Sequence, residues 1–343
     1  MGVVTSSTES RKVQVGAGGS YLLVLPKEWA RRTGLKKGER LDIIIEEDGS
    51  LRVVPASLVR KPVLREAVIE LERLNNIKWL DRYIKAAYMQ GYDIVSVTSK
   101  DRMPPEVRAA VRTSMLDIIG MEVADIQPNK VTLRILVDPL KFPLAELKER
   151  MFSLLLSMAN DLALFLERGE EGALQDVVDR EKEVAKLYRL MIRQSVLSIR
   201  DREVAKAVGV ARPEDALTNV MVARDSFRLA LLSSRAASTL LSLGGRPLPS
   251  EVAKLLLDMS KEVASMLSSA FRAASLGDQS LAHSVIDSMD RVRRLDDEIS
   301  KRLMELKEGA EIAPSLNAVA KDLRRMAGCA VAVADSVVTG ASL

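Results

Sequence analysis

The chain has few of the residues on which most enzyme sites depend. Its 343 residues include one cysteine, Cys329, and one histidine, His283. A single cysteine excludes an intrachain disulfide, and a single histidine excludes a metal cluster built on several imidazoles. His283 lies in the helical pattern SLAHSVIDSM, where we interpret it as a structural or surface side chain. We therefore expect no enzyme activity and no cofactor.

Long apolar runs are also missing. The best candidate for a membrane span, MFSLLLSMANDLALFL at 151–166, is too short and carries Asn160 and Asp161. The polar start MGVVTSSTES does not resemble a secretion signal. Together with the single cysteine, this pattern predicts a cytoplasmic protein with no membrane insertion.

Aromatic residues make up only 3% of the chain, so the core must consist of aliphatic side chains, which favours helices. The net charge of +4 is too small to make the whole protein a polyanion binder. Residues 11–40, however, hold two acids and eight basic residues, an excess that can attract a phosphate backbone. The basic residues are Arg11, Lys12, Lys27, Arg31, Arg32, Lys36, Lys37 and Arg40.

The first 55 residues divide into a tail and a small β domain. We expect residues 1–10 to be disordered. Within 11–55, strand patterns cover 11–15, 21–25, 41–46 and 51–54, with EEDGS as a hairpin turn between the last two. PKEWARRTGL between them predicts one short helix that begins near Pro26 and ends at Gly34. Because this domain is too small for a core of its own, we expect it to dimerise.

Residues 56–142 read as a short α/β connecting segment. A helical pattern covers 63–90, and GYDIVSVTS reads as a buried strand. PPEVRAAVRTSMLDIIG predicts a helix that opens on prolines. MEVADI and KVTLRILV then pair across QPN.

From residue 143 onward the sequence predicts six long helices in two groups of three. An internal repeat supports the division, because 168–191 aligns with 276–299 at a constant offset of 108. Gly169 falls on Gly277 and Asp179 on Asp287 in this alignment. We predict one three-helix bundle over 143–245 and a second over 246–343. The fold class is therefore multidomain, with a small all-β head, an α/β connecting segment and a mainly α body.

The glycine-rich stretch VGAGGS at 15–20 does not fit a nucleotide site. A P-loop needs a lysine after its glycines, and a dinucleotide fingerprint needs a helix directly after the loop. Here the strand pattern YLLVLP follows. We interpret the glycines as shaping a turn between two strands.

The pattern RKVQ…GSYLLVLPKEWARRTGLKKGERLDIII resembles the swapped-hairpin domains of the AbrB/SpoVT/MazE group. The resemblance implies a homodimer in which two chains interlock their strands, with double-stranded DNA bound to the basic face. The implied DNA-binding residues are Arg11, Lys12, Lys27, Arg31 and Arg32. The alternative is that these charges only keep a small dimer in solution.

The duplicated bundles, with ERGEEGALQDVVDREKEVAKLY as their clearest segment, are similar to PhoU, a regulator of phosphate uptake. The segment before them resembles the linker of archaeal proteins that join an AbrB-like head to PhoU repeats. In PhoU, paired acids on one helix face an Asp and an Asn on the third helix and bind metal. Here Asp179, Glu181 and Asp287 are kept, but the other matching positions hold residues that do not bind such a metal, so we expect no metal site. They are Ala185, Met289, Arg293, Ser234, Ser238, Gly328 and Ala332.

Three functions follow from these resemblances. The leading hypothesis is a DNA-binding transcriptional regulator linked to phosphate uptake, with the bundles sensing a signal or dimerising. A second is an adaptor that regulates phosphate-transport or signalling proteins by protein contacts. A third is an antitoxin, although antitoxins generally carry only a short tail after such a head.

Overall fold

The computed structural model describes residues 9–16, 18–45, 49–55, 64–306 and 309–340. Most of the tail predicted over 1–10 lies outside these residues. The chain forms two compact units, residues 1–63 and residues 64–343.

The first unit contains two small antiparallel sheets and one short helix. Strands β1 (Gln14–Val15) and β2 (Tyr21–Leu22) pair with each other, and helix α1 (Lys27–Thr33) follows them. Strands β3 (Leu41–Ile45) and β4 (Leu51–Pro55) form the hairpin that the sequence predicted. Residues 46–48 of its turn lie outside the described part of the chain.

The second unit begins with a four-stranded sheet in the order β5-β6-β8-β7. Its strands are β5 (Glu66–Glu70), β6 (Ile94–Thr98), β7 (Met121–Gln127) and β8 (Lys130–Ile135). Only the β5–β6 pair is parallel. Helices α2 (Trp79–Met89) and α3 (Pro105–Leu116) share one apolar core with the sheet. The predicted strand after 90, the proline-led helix and the β7–β8 hairpin are all confirmed.

The prediction of one helix over 63–90 is wrong in its first half. Residues 66–70 form β5 instead, and α2 begins only at Trp79. In EAVIE, Ile69 is buried while Val68 is exposed, which is the two-residue alternation of a strand. Pairing with β6 along the whole length of β5 satisfies its backbone groups. This long-range contact overrides a local pattern that also suits a helix.

Seven helices build the rest of the unit. The six long ones are α4 (Leu144–Arg168), α5 (Glu171–Arg200), α7 (Pro213–Leu241), α8 (Ser250–Leu276), α9 (Gln279–Glu305) and α10 (Ala313–Thr339). A short helix that the sequence analysis missed, α6 (Arg202–Val208), lies between α5 and α7. The aligned glycines Gly169 and Gly277 both end a first helix in the left-handed conformation, with φ of 72° and 68°.

The third helix of each bundle, α7 and α10, carries a further repeat that lies outside the aligned segments 168–191 and 276–299. Val-Ala-Arg-Asp at 222–225 on α7 matches Val-Ala-Lys-Asp at 319–322 on α10, at an offset of 97. The aspartates Asp225 and Asp322 at the ends of these matches are both buried. The offset falls from 108 because α5 is longer than α9, the connection that contains α6 is longer than the one after α9, and Asp225 lies further into its helix than Asp322.

The two bundles pack on each other along α4 with α8 and along α7 with α10. Phe152 and Phe271 stack between α4 and α8, with 4.0 Å between ring centroids. No described helix is both long and apolar enough to cross a membrane.

Candidate nucleic-acid interface

The glycine stretch forms the tight turn between β1 and β2. The Gly16 amide donates to the carbonyl of Ser20 at 2.8 Å, and Gly18 and Gly19 have φ of 95° and 81°. A side chain disfavours such angles, so glycine suits both positions. The turn leads into a strand rather than a helix, as predicted, so it lacks the helix that a phosphate-binding loop would need.

Helix α1 presents three of the five predicted DNA-binding residues. Pro26 lies directly before the helix, and Gly34 ends it in the left-handed conformation with φ of 70°. Lys27 and Arg31 are four residues apart and therefore lie on one face, with Arg32 next to them. All three side chains are exposed, and none forms an ion pair with a residue of the described part of the chain. They are free to bind an external anion.

Arg11 and Lys12 lie just before β1 and are also exposed. Arg11 forms an ion pair with Glu9, which neutralises part of its charge. Within the described residues, no hydrogen bond or ion pair joins these two side chains to those of α1. The structure therefore shows two basic groups on one small unit, at Arg11–Lys12 and at Lys27–Arg32.

The first unit leaves its apolar side chains open to solvent. Of its described residues, only Pro55 is buried. A two-stranded hairpin alone is marginally stable, and apolar exposure on this scale marks an interaction surface. The sequence analysis identified the small core but not these residues, since strand patterns do not show what covers each face. The exposed side chains are Val13, Val15, Tyr21, Leu22, Leu23, Val24, Ile43, Ile45 and Leu51.

The bundles do not gather acids in the way a metal cluster requires. In the described residues, no three His, Cys, Asp or Glu side chains converge. Asp176 pairs with Arg180 at 3.4 Å, and Glu183 pairs with Lys186 at 2.8 Å. A hard cation needs several converging oxygen ligands, so the residues present do not fit a PhoU-type metal site.

Arginine and lysine side chains of the third helices neutralise two buried acids of the second bundle, Asp322 and Asp296. Asp322 on α10 accepts a hydrogen bond from Arg235 Nε at 2.7 Å. Asp296 on α9 is fully buried and pairs with Lys321 at 2.9 Å and Arg324 at 2.7 Å. These cations take the place that a metal ion would need beside the carboxylates.

Residues 256–337 match the PhoU domain family. The matched segment runs from α8 to α10, the helices of the second bundle. Residues 16–61 match a second family, described as antidote-toxin recognition MazE, bacterial antitoxin. These are the two families that the sequence resembled. No curated protein sequence matches the chain.

The fold of the PhoU-like part is also similar to that of solved structures. PhoU from Pseudomonas aeruginosa is 18% identical with a TM-score of 0.50, covering 58% of this chain and 96% of that one. The phosphate transport system regulatory protein PhoU from Streptococcus pneumoniae is 18% identical with a TM-score of 0.48, covering 58% and 97%. At this identity, the likeness to the Pseudomonas protein supports the helical fold alone.

Proposed function

We propose that the protein is a DNA-binding transcriptional regulator linked to phosphate uptake, and not an enzyme. A homodimer of the first unit binds double-stranded DNA through Arg11, Lys12, Lys27, Arg31 and Arg32. The PhoU-like body senses a signal or strengthens the dimer. Such a regulator works beside the chromosome, in the cytoplasm.

The observation that carries this proposal is the set of unpaired, exposed cations on α1. Lys27, Arg31 and Arg32 form no ion pair with a described residue, although Glu28 lies on the same helix, so their charges remain available to an anion. Contacts to phosphate supply most of the non-specific affinity of a DNA-binding protein. The match to the MazE family supports the same reading, and the PhoU match supports the link with phosphate.

Fluorescence anisotropy with duplex DNA across a salt series tests the proposal. We expect affinity to fall steeply with rising salt, and the double variant Arg31→Ala/Arg32→Ala to bind more weakly with a shallower salt slope. The matched control is Arg293→Ala/Arg294→Ala, another adjacent exposed pair, on α9. Equal binding by both double variants and the unmodified protein would show that α1 is not the interface.

A second candidate is an adaptor that acts on phosphate-transport or signalling proteins through the bundles. The PhoU domain match favours it, and on this view the first unit only dimerises. Residues 64–343 form a compact unit and can be produced alone. If this unit captures the same partners as the full chain, and the full chain does not bind DNA, the adaptor function holds.

A further inference from the structure

A cleft of about 300 Å³ lies where five helices of the two bundles end or begin. The residues that line it belong to α4, α7, α8, α9, α10 and the turn after α8, so both bundles contribute to it. Its only ionisable lining side chain is Lys148, on α4. The polar side chains around it are those of Thr218, Asn219, Gln279 and Ser336.

Lys148 is a half-buried cation that forms no ion pair with a described residue. Its ammonium donates one hydrogen bond, to the carbonyl of Ala274 at 3.3 Å. Burial lowers its pKa, and the field of the exposed neighbour Glu149 only partly opposes this. By contrast, the buried arginine Arg193 pairs with Asp93 at 3.3 Å. A partly desolvated charge without an ion-pair partner is less favourable than one in water, and a bound anion offsets that cost.

The hydroxyls of Thr218 and Ser336 already donate to the carbonyls of Glu214 and Val333, so the lining side chains still free to donate are Lys148, Asn219 and Gln279. Lys148 keeps two N–H groups after its bond to Ala274. The Asn219 amide uses one N–H on the carbonyl of Asp215 at 2.8 Å and keeps the other. The Gln279 amide forms no hydrogen bond with a described residue. The nearby carboxylate of Asp278 does not line the cleft and instead caps α9, accepting from the Leu281 amide at 3.0 Å.

We propose that this cleft binds a small molecule through a phosphate or carboxylate group, held by Lys148, Asn219 and Gln279. The negative group neutralises the half-buried ammonium and accepts hydrogen bonds from both bundles. This site goes beyond the proposed function, because it needs neither DNA nor the first unit.

Titration calorimetry on the full chain tests the site, with inorganic phosphate and succinate as probes at constant ionic strength. We expect one or both probes to bind the unmodified protein, and Lys148→Met to lose affinity by roughly tenfold or more, the loss of one charge-assisted hydrogen bond. Binding of phosphate alone assigns the phosphate class, and binding of succinate alone assigns the carboxylate class. Lys182→Met, which removes an exposed lysine from α5, is the control and should bind as the unmodified protein does.

Gln279→Glu is a second variant for the case in which Lys148→Met does not fold. It places a carboxylate at the rim with almost no change in shape, and an acid in the first turn of α9 is favourable for the helix. We expect it to fold and to lose binding of the probes. The site is wrong if neither probe binds, or if Lys148→Met or Gln279→Glu binds as tightly as the unmodified protein.

Discussion

Arg235 of the first bundle and Asp322 of the second form an ion pair across the α7–α10 contact, with Arg235 Nε 2.7 Å from Asp322 Oδ2. The Asp322 side chain is 4% exposed, and Arg325 lies beside it at 3.5 Å. A buried carboxylate needs such partners, because its desolvation is otherwise unfavourable. The pair therefore adds a polar contact to the packing of α7 on α10, although the Arg235 side chain is itself half exposed.

Replacing Arg235 should loosen this contact. We expect Arg235→Met to lower the free energy of unfolding by about 1–3 kcal/mol, since Arg325 still neutralises part of the charge on Asp322. Urea denaturation measures the change. Arg293→Met, which removes an exposed arginine paired with Asp290, is the control and should have almost no effect. Equal stability of the two variants would contradict this role of Arg235.

A buried arginine joins the α/β segment to the first bundle. Arg193 on α5 is 2% exposed and donates to the carbonyls of Tyr88 at 3.0 Å and Tyr92 at 2.6 Å. It also pairs with Asp93, whose other oxygen accepts from the Arg65 amide at 2.9 Å at the start of β5. This one side chain connects α5, the end of α2 and the strand that follows the first unit along the chain.

We expect Arg193→Met to destabilise the second unit by about 1–3 kcal/mol, because the Tyr92 carbonyl loses its donor while Asp93 and the Tyr88 carbonyl keep only the backbone donors Arg65 and Gly91. Hydrogen exchange should show the largest loss of protection at residues 88–93. Arg82→Met, on the exposed face of α2, is the control. Uniform exchange across the segment in Arg193→Met would contradict a local role.

Local signals predicted the elements of this fold better than its contacts. Gly169 and Gly277 marked the repeat because a helix that ends in the left-handed conformation favours glycine in any context. Pro26 and Gly34 bounded α1 for similar reasons. Residues 66–70 were mispredicted because their strand depends on β6, which lies more than twenty residues away along the chain.

The candidate interface was predictable only in part. The sequence showed the excess of basic residues, but only the structure shows that Glu9 pairs with Arg11 while Arg31 has no described partner. Lys148 carried no signal at all in the sequence. Its environment depends on five helices that meet far from one another along the chain, and no local pattern encodes such a meeting.

Two glycines with the same backbone conformation should respond differently to alanine. Gly120 and Gly169 have φ of 68° and 72°, but a Cβ at Gly120 would overlap the side chain of Val137, whereas Gly169 faces open space. We expect Gly169→Ala to lower stability by about 1 kcal/mol from backbone strain alone. Gly120→Ala should lose a further ~1–3 kcal/mol from overpacking. Thermal denaturation of both variants checks the order, and a reversed order would be inconsistent with this packing.

The exposed apolar side chains of the first unit predict that two copies of this unit associate. A charged side chain placed among them should prevent the association. Ile43 and Ile45 lie on one face of β3 and are 64% and 74% exposed. If these two side chains pack against a second copy of the chain, Ile43→Lys/Ile45→Lys should dissociate the dimer. Light scattering after size exclusion measures the change in mass. Asp42→Lys, on the opposite face of the same strand, is the matched control. A dimer that persists in the double lysine variant would argue against this interface.

Because the Cys329 thiol is buried, we expect the free energy of unfolding to fall at alkaline pH. Burial against α7 raises the pKa of its thiol from 9.0 to about 11, with the positive field of Arg228 opposing the shift and the negative field of Asp225 adding to it. The folded state therefore keeps a proton that the unfolded chain loses above pH 9. Stability from this group is complete below that pH and is lost as the pH rises toward 11, with a slope of up to ~1.4 kcal/mol per pH unit.

Urea denaturation of the unmodified protein and Cys329→Ala between pH 8 and pH 11 measures this effect. Tyr88, whose pKa burial also raises, titrates in both proteins, so the difference between the two curves isolates the thiol. We expect the unmodified protein to lose stability more steeply above pH 9, and its thiol to react with a disulfide reagent at pH 8 only after unfolding. Parallel curves, or rapid reaction of the folded protein, would show that the thiolate forms as easily in the core as in water.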